Sequence, residues 1–328
     1  MLRLELPALV SVAEYPSVED VCGWVPRRGS HPGRWLILAD IHANWPALVA
    51  VLNHARGRYD ALWFMGDLVG YGPHPVPCVN LFERLDVQRW SIGNHDLGVL
   101  DSLHRHSLVF RPSPESSQIW LDHRAQLQTR SETWQWFQAR VNATPIRMAV
   151  RRYGVRGRRV QVFVHACPDD PVGAYLFPSD WANVLETLRA LERQLGVNSQ
   201  CVWLVTGHTH MMCLLCLQPG DSIPRVMPIQ YGQPISIQQG LYLINPGSVG
   251  SPRDGDPRAG YAILDVGKAE VEFQRVGYPV QAVVDDMRRR GAMYPDSLLD
   301  TFLTGRSAAT RHFDSVYQAH PEGLIPCR

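Results

Sequence analysis

The sequence predicts an α/β fold (α+β in some classification schemes), and three observations support this. Strand-length apolar runs alternate with helical stretches at 35–39, 46–57, 61–65, 76–86 and 87–92. Such alternation is typical of right-handed βαβ units and a largely parallel sheet. After residue 201, short strands follow at 213–217, 241–244, 260–265 and 270–275, and they predict a second sheet. Each early strand ends in polar residues, where open α/β sheets bind their ligands.

The chain divides into three predicted parts. Residues 1–33 form an N-terminal extension that ends in a turn-rich stretch, residues 34–305 form one domain, and residues 306–328 form a C-terminal tail without clear periodicity. Within the domain, the segment 104–140 is rich in Gln, Ser and Arg, contains several aromatic residues and is more helical than strand-like in pattern. It is either a lid beside the site or, as we prefer, helical structure whose aromatic side chains pack onto the sheet.

Composition sets the class of protein. Of the 328 residues 45% are hydrophobic, which is normal for a globular protein, and no apolar run approaches the roughly 20 residues of a membrane-spanning helix. Seven scattered cysteines and the absence of an export signal indicate a reducing compartment. We therefore expect a soluble, cytoplasmic protein that does not enter the membrane.

Charge argues against a nucleic-acid-binding protein. The formal net charge is +1, so the chain lacks the broad basic field that recruits duplex DNA or RNA. One basic turn, with arginines at 151, 152, 156, 158 and 159, leaves a polyanionic partner open, although a solvated hairpin tip is the preferred interpretation.

Seven metal-ligand residues follow the predicted strands. They are Asp40, His42, Asp67, Asn94, His165, His208 and His210. Imidazole and carboxylate groups are the ligands that divalent metals need for hydrolysis, and the carboxylate of Asp67 can bridge two cations. Each residue alone has a simpler explanation, such as a helix cap or a turn. Their joint occurrence at strand ends favours a metal site.

These motifs resemble those of a known family. D-I-H, G-D, G-N-H-D, V-H-A and G-H-T-H occur in the full motif order of the calcineurin-like metallophosphoesterase superfamily, across about residues 34–275. The stretches ADIHANWPAL, GDLVGYGP, HACPDDP and INPGSVGSPRDGDPRAGYAILD are similar to its branch of small prokaryotic phosphoesterases. The resemblance implies two facing mixed β-sheets flanked by helices, an αββα sandwich.

The resemblance also implies how the metals are held. One ion would be bound by Asp40, His42, Asp67 and His210, and the second by Asp67, Asn94, His165 and His208. Two such ions, about 3.5–4 Å apart, produce an attacking hydroxide from a shared water and hold the phosphoryl oxygens. We expect Mn or Fe, while the ligand types leave Zn, Ni, Co and Mg open.

The resemblance gives His95 the catalytic role. It would lie near the leaving-group oxygen and either donate a proton to it or stabilise its charge. The alternative is a histidine at a helix start that packs against Asp96.

The second motif departs from that of the protein serine/threonine phosphatases in this superfamily. Their G-D-x-V-D-R-G contains an Asp that supports the catalytic histidine and an Arg that binds phosphate, whereas this chain has Gly70 and Tyr71 there. We expect another group to bind phosphate, and the candidates are the side chains of Asn44 and Arg253 and the backbone amides around Gly247 and Ser248. For Arg253, an ion pair with Asp254 or Asp256 in a surface loop is the preferred alternative.

The predicted function is therefore two-metal hydrolysis of a small phosphorylated substrate. A phosphomonoesterase (phosphatase) is preferred. The alternatives are a phosphodiesterase acting on cyclic nucleotides or dinucleoside polyphosphates and, from a different class, a non-catalytic binding protein on the same fold. All seven predicted ligand residues and His95 are present, which argues against the non-catalytic alternative. The sequence does not determine the oligomeric state.

Overall fold

The structure is a computed structural model that describes most of the chain. The described residues are 16–25, 33–85, 87, 89–107, 109–153, 159–196, 201–319 and 324–325. Most of the predicted N-terminal extension and the tip of the arginine turn, with Arg156 and Arg158, lie outside them.

The first third of the chain builds the parallel part of one sheet. Its elements are α1 (Val18–Cys22), β1 (Arg34–Leu38), α2 (Trp45–Ala55), β2 (Ala61–Phe64), α3 (Pro75–Arg84), β3 (Arg89–Trp90) and α4 (Asn94–Val99). Strands β1, β2 and β3 lie side by side and parallel, because helices carry the chain back between them. Helix α2 begins at its predicted position, with Asn44 as its cap and Pro46 in the first turn.

The remaining elements complete two sheets. They are α5 (Pro114–Gln128), α6 (Ser131–Ala143), β4 (Ala149–Tyr153), β5 (Arg159–Phe163), α7 (Trp181–Leu195), β6 (Cys201–Val205), β7 (Cys213–Leu217), β8 (Arg225–Val226), β9 (Ile229–Gln230), β10 (Pro234–Ser236), β11 (Leu241–Asn245), β12 (Ala259–Asp265), β13 (Glu270–Val276), α8 (Val280–Arg289), α9 (Asp296–Thr304), α10 (Thr310–Ala319) and β14 (Leu324–Ile325).

The two large sheets of the described residues are mixed and have six strands each. Their strand orders are β10-β13-β12-β1-β2-β3 and β4-β5-β6-β11-β7-β8. They face each other across a core in which the rings of Trp63 and Phe163 stack with centroids 3.4 Å apart. Helices α2 and α3 cover the outer face of the first sheet, and α7 covers that of the second. The predicted sandwich of facing mixed sheets between helices is confirmed.

The distribution of strands between the sheets differs from the prediction. The strands at 260–265 and 270–275 were expected in the second sheet, but β12 pairs antiparallel with β1 and thereby extends the first. The hairpin of β4 and β5, which no sheet was predicted to contain, belongs to the second sheet. An apolar pattern indicates that a strand is buried, but it does not specify which strand lies beside it.

The ends of the chain contain helices that the sequence pattern did not reveal. In the extension, α1 packs Val21 into the helical core, and in the predicted tail α10 extends from Thr310 to Ala319. Helices α5 and α6 bury Ile119, Leu127 and Phe137 in the helical core. No helix among the described residues is long and apolar enough to cross a bilayer.

Candidate metal centre

The carboxyl ends of strands from both sheets meet at one point. The four side chains of Asp40, His42, Asp67 and His210 have ligand atoms within 4.8 Å of one another. So do the three of Asp67, His165 and His208. Asn94 adjoins this second group, with its Oδ1 3.2 Å from His165 Nε2. The structure thus brings together all seven predicted ligands, and Asp67 belongs to both groups.

Most of these residues have a strained backbone. Five have φ in the left-handed region: Asp40 at 54°, His42 at 49°, Asp67 at 62°, His208 at 62° and His210 at 60°. For a residue other than glycine this conformation costs on the order of 1–3 kcal/mol, and such strain concentrates at functional sites. The sharp turn after each strand aims the next side chain into the cluster.

Three histidines are oriented by backbone carbonyls. Nδ1 of His42 lies 3.1 Å from Val69 O, that of His165 lies 2.9 Å from Met65 O, and that of His210 lies 2.6 Å from Ser251 O. A carbonyl only accepts, so each of these Nδ1 atoms carries a proton. In the neutral rings of His42 and His210, Nε2 then has a free lone pair. For His165, burial alone would lower the pKa, but the neighbouring Asp67 raises it to about 9. The Nε2 atoms of His42 and His210 face each other at 2.9 Å. Two lone pairs in this arrangement repel unless a cation lies between them.

The charges of the cluster also suit cations. Burial lowers the pKa of His42, His208 and His210, so these rings are neutral. Burial alone would raise the pKa of Asp67, but the adjacent His165 and His95 hold it well below its usual value. Asp67 Oδ2, which lies 3.4 Å from His165 Nε2, and His208 Nε2 are buried and accept no hydrogen bond of good geometry. Buried acceptors in this condition are costly, and bound metal ions would satisfy both of them.

His95 lies beside this cluster. It is buried at the start of α4, and its ring centroid is 4.8 Å from that of His42. Its Nδ1 accepts a hydrogen bond of 2.8 Å from Trp120 Nε1 on α5, and burial lowers its pKa to about 4. The alternative of a contact with Asp96 is not observed, because the Asp96 carboxylate accepts hydrogen bonds from the backbone of Asp67, Leu68 and Gly93.

Arg253 lies over the ring of Tyr71, with 5.2 Å between the guanidinium carbon and the ring centroid. Its Nε is buried without a hydrogen-bond partner, and no carboxylate of the described residues lies within 4 Å of it. The expected ion pair in a surface loop was wrong, since Asp254 pairs with the buried Arg275 and Asp256 pairs with Arg258.

Asn44, the other candidate for a phosphate contact, is fully buried. Its Oδ1 accepts from the backbone N–H of Ala47, and its Nδ2 donates to Gly250 O at 2.9 Å. The side chain therefore connects the start of α2 to the loop after β11. Of these two candidate side chains for a phosphate contact, that of Arg253 remains available to an anion.

A cleft with aromatic walls adjoins the cluster. Tyr71, Phe110 and Tyr175 line a cavity of about 530 Å³. The ring of Tyr175 stacks on that of His208 with centroids 4.1 Å apart, and the ring of Tyr71 is 4.6 Å from that of His42. A second cavity of about 630 Å³ shares Phe110 and Arg111 with the first and contains Trp120 in its wall. The aromatic wall of the first cavity thus contacts two of the predicted ligands, His42 and His208.

Sequence reasoning did not identify four residues of this site: Asp96, Trp120, His123 and Tyr175. Trp120 and His123 are three residues apart on α5 and so share one face of the helix. His123 accepts from the backbone N–H of Gly70 at 3.1 Å and has Nε2 2.9 Å from Gly72 O. In the sequence, the available signal for Trp120 and His123 was a histidine about one helical turn after a tryptophan.

The fold and the cluster define a metal-dependent hydrolase of the αββα type. Over residues 33–212 the chain matches the calcineurin-like phosphoesterase family, and it belongs to that family. It is therefore a hydrolase of phosphoric ester bonds, and a binuclear metal centre is the family's cofactor arrangement.

Similar proteins agree with this assignment. The chain is 29% identical over 273 residues to the uncharacterized protein MJ0912 of Methanocaldococcus jannaschii, covering 82% of this chain and 97% of that one. The crystal structure of a metallophosphoesterase from Sphaerobacter thermophilus superposes with a TM-score of 0.60 at 31% identity, covering 84% of this chain and all of the other. A symmetrical bis(5'-nucleosyl)-tetraphosphatase of Vibrio cholerae is 34% identical over 84 residues, which is 24% of this chain and 31% of that enzyme.

Proposed function

We propose that this protein is a phosphomonoesterase that removes phosphate from nucleotides and related small phosphate esters. The aromatic cleft carries the proposal, because its wall is continuous with the predicted metal ligands through the stack of Tyr175 on His208. A nucleobase stacked on an aromatic side chain gains about 1–3 kcal/mol. A phosphate attached to that nucleoside would then extend toward the cluster.

We further propose that two divalent ions, Mn or Fe, are held in the two sets predicted from the motifs. Asp40, His42, Asp67 and His210 would hold one, and Asp67, Asn94, His165 and His208 the other. When bound, such ions activate water and stabilise charge on phosphoryl oxygens. The oriented Nε2 lone pairs and the buried Asp67 Oδ2 support this assignment.

Two side chains of the protein would bind the phosphate and contact the leaving group. Arg253, which lacks a carboxylate partner among the described residues, would bind a phosphate oxygen with a charge-assisted hydrogen bond. His95 would contact the leaving-group oxygen. Asp40, His42 and Asp67 are at most 1% exposed, so bulk water is excluded and electrostatic interactions are strengthened.

The burial of the predicted ligands supports phosphate monoesters over diesters as substrates. The seven predicted ligands are between 0% and 3% exposed, so a phosphoryl group at the end of a substrate can approach them more easily than one flanked on both sides. The preference for a terminal phosphate follows from this enclosure.

A specific observation favours a second candidate, a dinucleoside polyphosphate. The two cavities that share Phe110 and Arg111 offer separate places for two nucleosides, and Arg111 lies between them. The partial similarity to a symmetrical bis(5'-nucleosyl)-tetraphosphatase also supports this candidate.

The test is a substrate panel. Metal-stripped protein would be reloaded with Mn or Fe and given nucleoside 5'-monophosphates, 2',3'-cyclic nucleotides, diadenosine tetraphosphate and glycerol 3-phosphate. The proposal expects the fastest release of phosphate from nucleoside monophosphates. Faster cleavage of diadenosine tetraphosphate would establish the second candidate, and equal rates for glycerol 3-phosphate and nucleotides would contradict a role for the aromatic cleft.

A further inference from the structure

One edge of the His95 ring is enclosed by neighbouring groups. Nδ1 accepts the hydrogen bond from Trp120 Nε1. Gly70, with φ of +93°, passes so close that a Cβ at this position would lie 2.2 Å from Nδ1. The absence of a side chain at Gly70 is therefore what allows this edge of the ring to face the indole of Trp120.

The chemistry of the indole settles the direction of this hydrogen bond. The N–H of tryptophan donates and cannot accept, so Nδ1 of His95 contributes its lone pair. A neutral imidazole then carries its single proton on Nε2. We propose that Trp120 is a positioning residue that fixes His95 in the tautomer protonated at Nε2, so that His95 acts as a hydrogen-bond donor to the substrate. The part of this inference that concerns substrate rests on the proposed function, whereas the tautomer does not.

Trp120 is itself held rigidly. Gly98 of α4 packs against the face of the indole, where a Cβ would lie 2.4 Å from Trp120 Cδ2. One turn further along α5, His123 binds the backbone of Gly70 and Gly72. Helix α5 thus holds both the His95 ring and the loop that passes beside it. A residue locked in this way can keep a catalytic group within the narrow tolerance that efficient reaction requires.

Nuclear magnetic resonance of ¹⁵N-histidine-labelled protein loaded with Zn²⁺, a diamagnetic ion, tests the tautomer directly. The His95 signals are assigned from their absence in His95→Gln. We expect a protonated Nε2 and an unprotonated Nδ1 in the wild-type protein. In Trp120→Phe, which removes the donor and keeps an aromatic ring, the population protonated at Nδ1 should rise. A wild-type His95 protonated at Nδ1 would overturn the inference, whatever the activity.

Kinetics test the consequence for catalysis. Trp120→Phe should lower kcat about 10- to 100-fold, with KM and bound metal unchanged. The matched control is Trp136→Phe on α6, which removes an indole that packs on Trp90, and it should retain wild-type kcat. Full activity of Trp120→Phe would contradict the positioning role. If the wild-type protein hydrolyses no member of the panel, the proposed function fails, and the spectrum still decides the tautomer.

Discussion

The carboxylate of Asp96 accepts a hydrogen bond from the backbone N–H of Asp67, with 2.9 Å between Oδ2 and the nitrogen. Its Oδ1 accepts from Leu68 at 2.9 Å, and its Oδ2 also accepts from Gly93 at 3.2 Å. Two loops are thereby joined through one buried side chain. Because Asp67 has a left-handed backbone, these bonds help to hold a strained residue in the position where it can serve both metals.

Asp96→Asn should weaken this connection. One carboxylate oxygen becomes an amide NH₂, which repels the backbone N–H groups it faces. We expect the free energy of unfolding to fall by about 1–3 kcal/mol and the affinity for both metals to fall with it. Urea denaturation and metal titration measure the two effects. The control is Asp101→Asn, at an exposed position that also has positive φ, and it should keep the stability and metal affinity of the wild type. Unchanged stability and metal affinity in Asp96→Asn would contradict a supporting role for Asp96.

Asp67 and His95 should differ in how their loss affects the enzyme. Asp67→Asn removes a charge shared by both ligand sets, so activity should disappear and both metals should bind more weakly. His95→Ala should slow turnover by about 10²- to 10⁴-fold with both metals retained. Mass spectrometric metal analysis alongside steady-state kinetics separates the two cases. Equal loss of metal in both variants would argue that His95 is a ligand or a structural support.

The seven candidate ligands could be picked out from the sequence because their signal is local. A polar residue within three residues of the end of an apolar strand is visible in a few letters, and strands β1, β2, β5 and β6 all have one. The support around them depends on packing between distant segments. Trp120 contacts His95 because α5 lies against α4, and Arg253 is left without an ion pair because Arg275, on β13, pairs with Asp254. Neither contact has a signature in the sequence.

Arg253 should contribute to phosphate binding. In Arg253→Gln, loss of a charged hydrogen bond of about 1.5–3 kcal/mol should weaken inhibition by inorganic phosphate about 10- to 100-fold and raise KM similarly. Inhibition constants for phosphate measure this. Arg258→Gln is the control, because it removes a neighbouring arginine that pairs with Asp256. Similar effects in both variants would indicate a general effect of surface charge rather than a specific contact.

Phe110 should discriminate between substrates. It is partly buried and lines both cavities, and its ring centroid lies 5.9 Å from that of His208. Phe110→Ala therefore removes a stacking surface while keeping all seven predicted ligands. We expect KM for nucleoside monophosphates to rise about 10-fold, in line with 1–3 kcal/mol per stacked base, and KM for glycerol 3-phosphate to stay the same. Val109→Ala, at the exposed neighbouring residue, is the control. A parallel rise for both substrates would contradict nucleobase binding in the cleft.

His123 should make stability depend on pH. Burial lowers its pKa to about 3, whereas in the unfolded chain it titrates near 6.5. Between these values the unfolded chain binds a proton that the folded protein does not. His123 therefore contributes full stability above about pH 6.5, and this contribution falls by about 1.4 kcal/mol per pH unit as the pH drops toward 3.

His123→Gln isolates this contribution. Glutamine can still accept from Gly70 and donate to Gly72, but it does not titrate. Urea unfolding from pH 7 to pH 5 should therefore show that the free energy of unfolding falls less steeply with decreasing pH in the variant than in the wild type. The difference in slope should correspond to the uptake of one proton on unfolding. The other buried histidines titrate in both proteins, so they cancel in the difference. Two parallel curves would mean that His123 is protonated in the folded protein and that the loop at Gly70–Gly72 is held in another way.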